Sequence, residues 1–331
     1  MFTLWIQAQW QKRGLFALLM LPLAGLYCLV MALRRRAYGT GLIKSFPIDC
    51  PVIVVGNVSV GGTGKTPLVM WLVQNLVDAG YRPGVISRGY GGSATDLPMM
   101  LADDTPASVA GDEPVMIFRK TGRPVVIAPD RIAAADMLLS DTDCNVIVSD
   151  DGLQHLRLQR DIEIAVITSD RIAGNGWCLP AGPLREPSSV LDDIDITVTR
   201  AKQSGRTNWQ LKLKEDDCVN VASPGERRAL ESFSGSTIHA VAGIGNPDDF
   251  FASLRAAGLD IIEHRFPDHH AYKAADLEFS DDLAVIMTEK DAVKCLSFAS
   301  PDWWSLTVSV VVDEGILNNI VNKLEEIDYG G

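Results

Sequence analysis

"PVIVVGNVSVGGTGKTP", residues 51 to 67, runs four consecutive β-branched residues, Val52 to Val55, into a glycine-rich turn and the start of a helix. Such an unbroken apolar run reads as a strand buried on both faces, as strands of parallel sheets are. The strict phosphate-loop pattern G-x-x-x-x-G-K-[ST] places glycine at position 59, where this chain has Ser59. The chemistry puts no atom there. Phosphate is held by inward-pointing backbone N–H groups, a lysine and a hydroxyl. Gly61, Gly62 and Gly64 give the turn its freedom, Lys65 reaches the β/γ-phosphates, and Thr66 offers a hydroxyl to Mg²⁺. Ser59, Val60, Gly61, Gly62, Thr63, Gly64, Lys65 and Thr66 are therefore the candidate nucleotide cradle, backed by the positive end of the following helix, 64–80.

A phosphate loop also needs an acid at the end of a second strand. "NVIVSDDGLQH" (145–155) supplies Asp150 and Asp151 after an apolar run. Neighbouring residues of a strand point to opposite faces, so one of the two faces the metal. Further apolar strands are read at 82–88, 124–129, 162–168 and 195–200, alternating with helical stretches. The polar stretch "AKQSGRTNWQLKLKEDD" precedes a second α/β run comprising 237–245, a helix at 247–258, 283–294 and 306–313.

Composition agrees with a folded protein: 47% hydrophobic and 22% charged residues in 331. The net charge of −12 is unevenly placed. Residues 1–44 hold six basic residues (Lys12, Arg13, Arg34, Arg35, Arg36, Lys44) and no acid, which leaves the body at −18. An acidic body is poorly suited to nucleic acid, whereas the basic end suits an anionic membrane surface. The six cysteines include no C-x-x-C pair and read as free thiols; the histidine spacing matches no metal motif. "LFALLMLPLAGLYCLVMAL" (15–33) is 19 residues without a charge, about 28 Å as a helix. Because the arginine cluster follows this run, a cleaved signal peptide is disfavoured. A spanning helix and one lying in a single leaflet, broken by Pro22 and Gly25, both fit.

The fold class read from these patterns is α/β: a P-loop NTPase-like parallel sheet with flanking helices, a second smaller α/β lobe, and an N-terminal membrane-associated helix. The expected domains are 1–44, 45–235 and 236–331. Guanine-specific loops use [NT]-K-x-D; "TEKD" (288–291) has its lysine one place late, which favours ATP.

Polar strings at strand ends carry the rest: "SRGYGG" (87–92), "GDEP" (111–114), "APDR" (128–131), "NGWCLPAGPLREP" (175–187) and "FPDHHAY" (266–272). With "GNVSVGGTGKTP" and "TEKDAVK" they resemble the tetraacyldisaccharide 4′-kinase (lipid A 4′-kinase) family, in order, from the N-terminal helix to about residue 295. The resemblance implies transfer of the ATP γ-phosphate to the 4′-hydroxyl of a membrane-embedded acylated glucosamine disaccharide 1-phosphate. It implies ATP and Mg²⁺ as cofactors and a monotopic or peripheral place at the cytoplasmic face of a Gram-negative inner membrane, among its lipids. It favours leaflet insertion of the N-terminal helix over spanning. No nucleic acid or protein partner is expected.

The same resemblance gives Asp112 as catalytic base and His269 as its partner across the lobe interface; His270 is the alternative that spacing leaves open. Glu113 and Asp150 become candidates for holding magnesium beside Thr66. Arg131 and His155 are candidates for stabilising the transferred phosphoryl, Arg88 and Tyr90 for the lipid headgroup, and Arg185 and Glu186 for the same region. A rival class is a membrane-associated P-loop ATPase acting as a switch or chaperone, with water as acceptor. It accounts for the loop, Asp150 and the helix, but gives "GDEP", "FPDHH" and "LPAGPLREP" no role.

Overall fold

The structure, a computed structural model, describes residues 2–61, 64–168, 174–200, 209–313 and 315–327. In chain order the helices are α1 (Phe2–Trp10), α2 (Leu15–Gly39), α3 (Lys65–Asp78), α4 (Ala107–Ala110), α5 (Asp112–Thr121), α6 (Arg131–Asp141), α7 (Asp248–Ala256), α8 (Glu289–Cys295) and α9 (Gly315–Glu325). The strands are β1 (Val52–Gly56), β2 (Pro83–Ser87), β3 (Met99–Met100), β4 (Val125–Ile127), β5 (Val146–Asp150), β6 (Ile162–Ile167) and β7 (Ile196–Thr199). They continue with β8 (Trp209–Asn220), β9 (Arg227–Arg228), β10 (Thr237–Ala242), β11 (Asp260–Arg265), β12 (Val285–Thr288) and β13 (Trp303–Val312).

The chain forms two compact units, each assembled from separated segments. The first is 1–88, 130–212 and 311–331; the second is 89–129 and 213–310. A single boundary near residue 235 is therefore not how the chain divides. The segment 89–129 belongs with the C-terminal run, and the last helix returns to the first unit.

In the first unit the strand order is β8-β7-β6-β1-β5-β2, and neighbouring strands pair in parallel. β1 and β5 are buried along their whole length, as their unbroken apolar runs require. Their register sets Val55 beside Asp150, so the phosphate loop and the acid leave neighbouring strands at the same end.

The second unit holds the parallel strands β11-β10-β12-β13, with the short β9 antiparallel to the end of β8. Phe250, Phe251 and Leu254 of α7 pack there with Ile238, Ala240 and Trp304. β8 corrects the sequence reading: the described part of the polar stretch before the second α/β run lies within a 12-residue strand. Leu211, Cys218 and Asn220 are buried while Lys212, Lys214, Glu215 and Asp217 are exposed, and the buried side switches between Leu211 and Cys218, so no single two-residue period runs through the strand.

α2 has 25 residues and is long and apolar enough to cross a membrane. One face is nevertheless docked on the first unit. Ala17 and Ala24 are buried, Tyr27 and Cys28 pack against Val58, Ile167, Cys178 and Leu184, and the Tyr27 hydroxyl donates to the Arg185 carbonyl at 2.8 Å. Leu15, Leu19, Leu23, Leu26, Leu29 and Leu33 form an exposed stripe on the other side. A helix fixed along one flank to the rest of its unit leaves this apolar stripe as its free side.

Candidate active site

The loop leaves β1 at the buried Asn57, whose side-chain amide donates to the Gly61 carbonyl at 3.4 Å. Ser59 is buried and forms an antiparallel bridge with Leu184, while Val60 N–H donates to the Pro183 carbonyl at 2.9 Å. Among the described residues only Asp151 and His269 combine a side chain with positive φ. Ser59 therefore keeps an ordinary φ, and glycine is not required there. Gly61 and Gly64, with φ of 117° and 88°, are where the loop does need it. Gly62 and Thr63 lie outside the described residues.

Lys65 opens α3, and its ammonium lies 3.5 Å from an Asp151 carboxylate oxygen. Thr66, next on the helix, is buried. Asp151 turns through φ 49° just after β5 and also receives Arg185, whose Nη1 is 3.1 Å from both carboxylate oxygens. Burial alone would raise the proton affinity of Asp151, but Lys65 and Arg185 hold its carboxyl below the usual value. Asp150, 1% exposed, accepts from the Ser87 hydroxyl at 3.4 Å, and the buried Arg131 donates to its backbone carbonyl at 3.5 Å. Burial lowers the Arg131 guanidinium to about 10, which leaves it charged at neutral pH.

Two expectations for this unit change. His155 is pushed down to about 4, by burial first and then by Arg131. It is therefore a neutral imidazole at pH 7 and offers no cation to a phosphoryl group, although it retains a hydrogen-bonding nitrogen. Glu186 is 1% exposed, accepts from Gln154 at 3.4 Å and lies 3.9 Å from Arg35. Burial raises its proton affinity. That is the setting of a structural carboxylate rather than of one reaching for a sugar. Arg35 also pairs with Glu163 at 3.0 Å, so this member of the basic collar is committed to the protein. Arg88 is exposed just beyond β2.

The string 175–187 also has a packing role that its sequence does not announce. Asn175 N–H donates to the Trp10 carbonyl at 2.8 Å, Trp10 Nε1 donates to the Pro180 carbonyl at 2.9 Å, and Arg13 lies over the Trp177 ring. This segment is the dock for the N-terminal helices.

In the second unit, Asp112 begins α5 after Gly111, whose φ of 93° and close approach to the Tyr90 carbonyl leave no room for a side chain. Asp112 is buried, and its Oδ2 lies 3.1 Å from His269 Nδ1. The two are 157 residues apart in sequence yet belong to one unit, not to two lobes. His269 sits at φ 60°, a left-handed conformation that histidine adopts more readily than most residues. His270 turns elsewhere, to Asp276 at 3.1 Å, so the first histidine of the pair is the partner. Tyr90, exposed, presents its ring to His269 edge-on, centroids 5.4 Å apart. Glu113 lies in this unit, 3.8 Å from Lys290, whereas Thr66 and Asp150 belong to the other. Asp112, His269, Ser108, Tyr272 and Lys294 help line a cavity of about 490 Å³.

Sequence reading missed the contribution of α8. "TEKDAVK" informs less about the base of a nucleotide than about Asp112 and His269. Thr288 caps the helix by accepting from Asp291 N–H, and Lys290 and Lys294, four apart, lie along one face. Lys290 Nζ is 3.3 Å from His269 Nε2 and Lys294 Nζ is 3.9 Å from Asp112 Oδ2. The available signal was the T-x-x-D cap with lysines at i, i+4 spacing, the first of them inside the cap.

A phosphate loop at the carboxyl end of a parallel strand, with an aspartate ending the neighbouring strand, defines a P-loop phosphoryl-transfer enzyme. Comparison with known proteins narrows the class. The sequence model of the tetraacyldisaccharide-1-P 4′-kinase family (LpxK) matches residues 16–325, and the chain belongs to that family. A tetraacyldisaccharide 4′-kinase of Methylobacillus flagellatus is 46% identical over 327 residues, 98% of this chain and 97% of that protein. One from Stenotrophomonas maltophilia is 49% identical over 291 residues, 85% of each. Among solved structures, "apo" form LpxK from Aquifex aeolicus in complex with ATP matches with a TM-score of 0.79 at 26% identity, covering 93% of this chain and 99% of that one.

Proposed function

We propose that this chain transfers the γ-phosphate of ATP to the 4′-hydroxyl of a tetraacyldisaccharide 1-phosphate, a lipid A precursor. The observation that carries the reading is the Asp112–His269 pair in a chain that also holds a phosphate loop. An alcohol acceptor must give up a proton, and a buried carboxylate fixed by an imidazole is a group that can take it. In the step, the 4′-oxygen forms its bond to the γ-phosphorus as the bond to the β–γ bridging oxygen breaks. The hydroxyl proton passes to Asp112, and ADP leaves. Lys65 neutralises charge on the β/γ-phosphates, exchanging its Asp151 contact for them, and Arg131 stabilises the transferred group.

The Thr66 hydroxyl and the Asp150 carboxylate are hard oxygen donors of the kind Mg²⁺ takes alongside phosphate oxygens, so they fit that ion; Glu113 is a further candidate. Bound there, Mg²⁺ supplies charge neutralisation on the phosphates. Arg88 and Tyr90 approach the headgroup, with His155 as a neutral hydrogen-bonding contact. Arg185 acts through Asp151, and Glu186 through the packing of its segment. The exposed leucine stripe of α2 and the exposed Arg36 support a monotopic place on the cytoplasmic face of the inner membrane, where the acylated acceptor resides.

The test is transfer of labelled γ-phosphate from ATP/Mg²⁺ to the acylated disaccharide 1-phosphate in mixed micelles, with Lys65→Ala and Asp112→Asn as controls. Labelled lipid that vanishes in both variants supports the reading. ADP formation without labelled lipid sinks it.

A further inference from the structure

We propose that Lys290 and Lys294 of α8 are positioning residues of the Asp112–His269 pair, Lys290 fixing the imidazole tautomer and Lys294 holding the carboxylate. The proposal rests on the kinase reading for its consequence, but its geometry is independent of it.

An ammonium only donates hydrogen bonds, and a carboxylate only accepts them. Lys290 Nζ stands 3.3 Å from His269 Nε2, so Nε2 is the accepting nitrogen. Asp112 Oδ2 stands 3.1 Å from Nδ1, so Nδ1 carries the proton. The opposite tautomer would set an N–H against an ammonium and a lone pair against a carboxylate, wrong at both contacts at once. The Asp268 carboxylate also faces Nε2, but at 3.9 Å; the nearer lysine decides. Lys290 is held in turn by Asp268 at 3.1 Å, which also accepts from the His269 backbone N–H at 3.1 Å, and by Glu113 at 3.8 Å. One carboxylate thus ties lysine and histidine backbone together.

On the other side Lys294, its side chain 7% exposed, lies 2.7 Å from Asp291 Oδ1 and over the face of Tyr272. Asp291 is anchored by Gly243 N–H at 2.8 Å and the Thr288 hydroxyl at 2.6 Å. The ammonium therefore cannot swing away from Asp112 without leaving the buried charge of Asp291 without its cation. Both the imidazole and Lys294 approach Oδ2 of Asp112, which directs an incoming hydroxyl proton to Oδ1.

The tautomer is read directly from ¹⁵N-histidine spectra of the full-length protein, with the His269 signals assigned by their loss in His269→Gln. The wild type is expected to show a protonated Nδ1 and an unprotonated Nε2. In Lys290→Met, at a position where the lysine side chain is 17% exposed and methionine keeps most of its volume, the signals should move toward a mixture of tautomers. In the lipid-labelling assay Lys290→Met should lose about ten- to a hundredfold in kcat with KM for ATP unchanged. Lys290→Arg, which keeps a donor, should recover a large part. A wild-type Nε2–H tautomer, or a His269 spectrum unchanged by Lys290→Met, overturns the proposal; so does a kcat loss that Arg does not recover. Because the spectrum needs no turnover, absence of lipid phosphorylation would remove the kinase reading and leave the lysine assignment to be judged on the tautomer alone.

Discussion

Lys294→Met tests whether the second unit depends on its buried ion pair. The wild-type ammonium lies 2.7 Å from Asp291 Oδ1 and 3.9 Å from Asp112 Oδ2; Asp291 is 0% exposed. Methionine fills similar volume without the charge, so packing against Tyr272 is largely kept and electrostatics is isolated. Removing one partner of a buried pair costs about 3–5 kcal/mol, because the other charge stays buried without compensation. Here Asp291 Oδ2 keeps two donors, Gly243 N–H and the Thr288 hydroxyl, so the lower end, about 3 kcal/mol, is expected. At about 2–4 °C per kcal/mol, the melting temperature should fall by about 6–12 °C. The informative arm is Lys294→Met combined with Asp291→Asn. The amide oxygen can still accept from Gly243 and Thr288, and no charge is stranded at position 291. The double variant should recover at least half of the loss, measured by circular dichroism melts in the same detergent. A single variant within about 1 kcal/mol of wild type, or a double variant no better than the single, would refute the reasoning.

His155 supplies a pH dependence. Its folded value of about 4 lies below its ordinary 6.5, so between those values the unfolded chain binds a proton that the native state refuses. Stability must fall as pH drops through that window; above 6.5 this group contributes no slope. His155→Gln should flatten the decline, read as melting temperature from pH 7 to pH 4. For Lys65→Met we expect transfer to fall at least about a hundredfold while stability changes by less than about 1 kcal/mol, since Arg185 still pairs with Asp151; a large loss of stability would show the pair to be structural. Replacing Leu19, Leu23 and Leu26 by serine should weaken vesicle binding about a hundredfold, at about 1 kcal/mol per half-buried leucine, without lowering the melting temperature. Unchanged flotation with vesicles would remove the leucine stripe from the membrane contact.

What was legible in the sequence followed from local pattern. Val52 to Val55 can only be a buried strand in this context, and Gly64-Lys65-Thr66 fixes the loop, the start of α3 and their chemistry within a few residues. Tertiary proximity was not legible in the same way. Nothing in spacing brings His269 to Asp112, and the resemblance that paired them did not show that both lie in one unit. β8 escaped because its buried Leu211, Cys218 and Asn220 are separated by lysines and acids and fall on different two-residue phases, so neither composition nor alternation marks it. Lys290 and Lys294 escaped because a lysine is by default a solvated residue; only the carboxylates around them make these two different.

The segment 175–187 shows why a string can have two roles at once. Its backbone is stitched to the loop entry, with Arg185 N–H donating to the Val58 carbonyl at 2.7 Å and Val60 N–H to that of Pro183. The Arg185 carbonyl accepts from Tyr27 of α2, while the Arg185 guanidinium holds Asp151, the partner of Lys65. One residue thus touches the apolar helix through its backbone and, through its side chain, the aspartate that pairs with the phosphate-loop lysine. A surface-seeking helix joined to its body by a flexible linker would need none of these bonds. Under the proposed membrane placement, fixed contacts of this kind would give the phosphate loop a defined height above the surface that the leucine stripe enters. For an acceptor that cannot leave the bilayer cheaply, that height determines whether its hydroxyl can be reached.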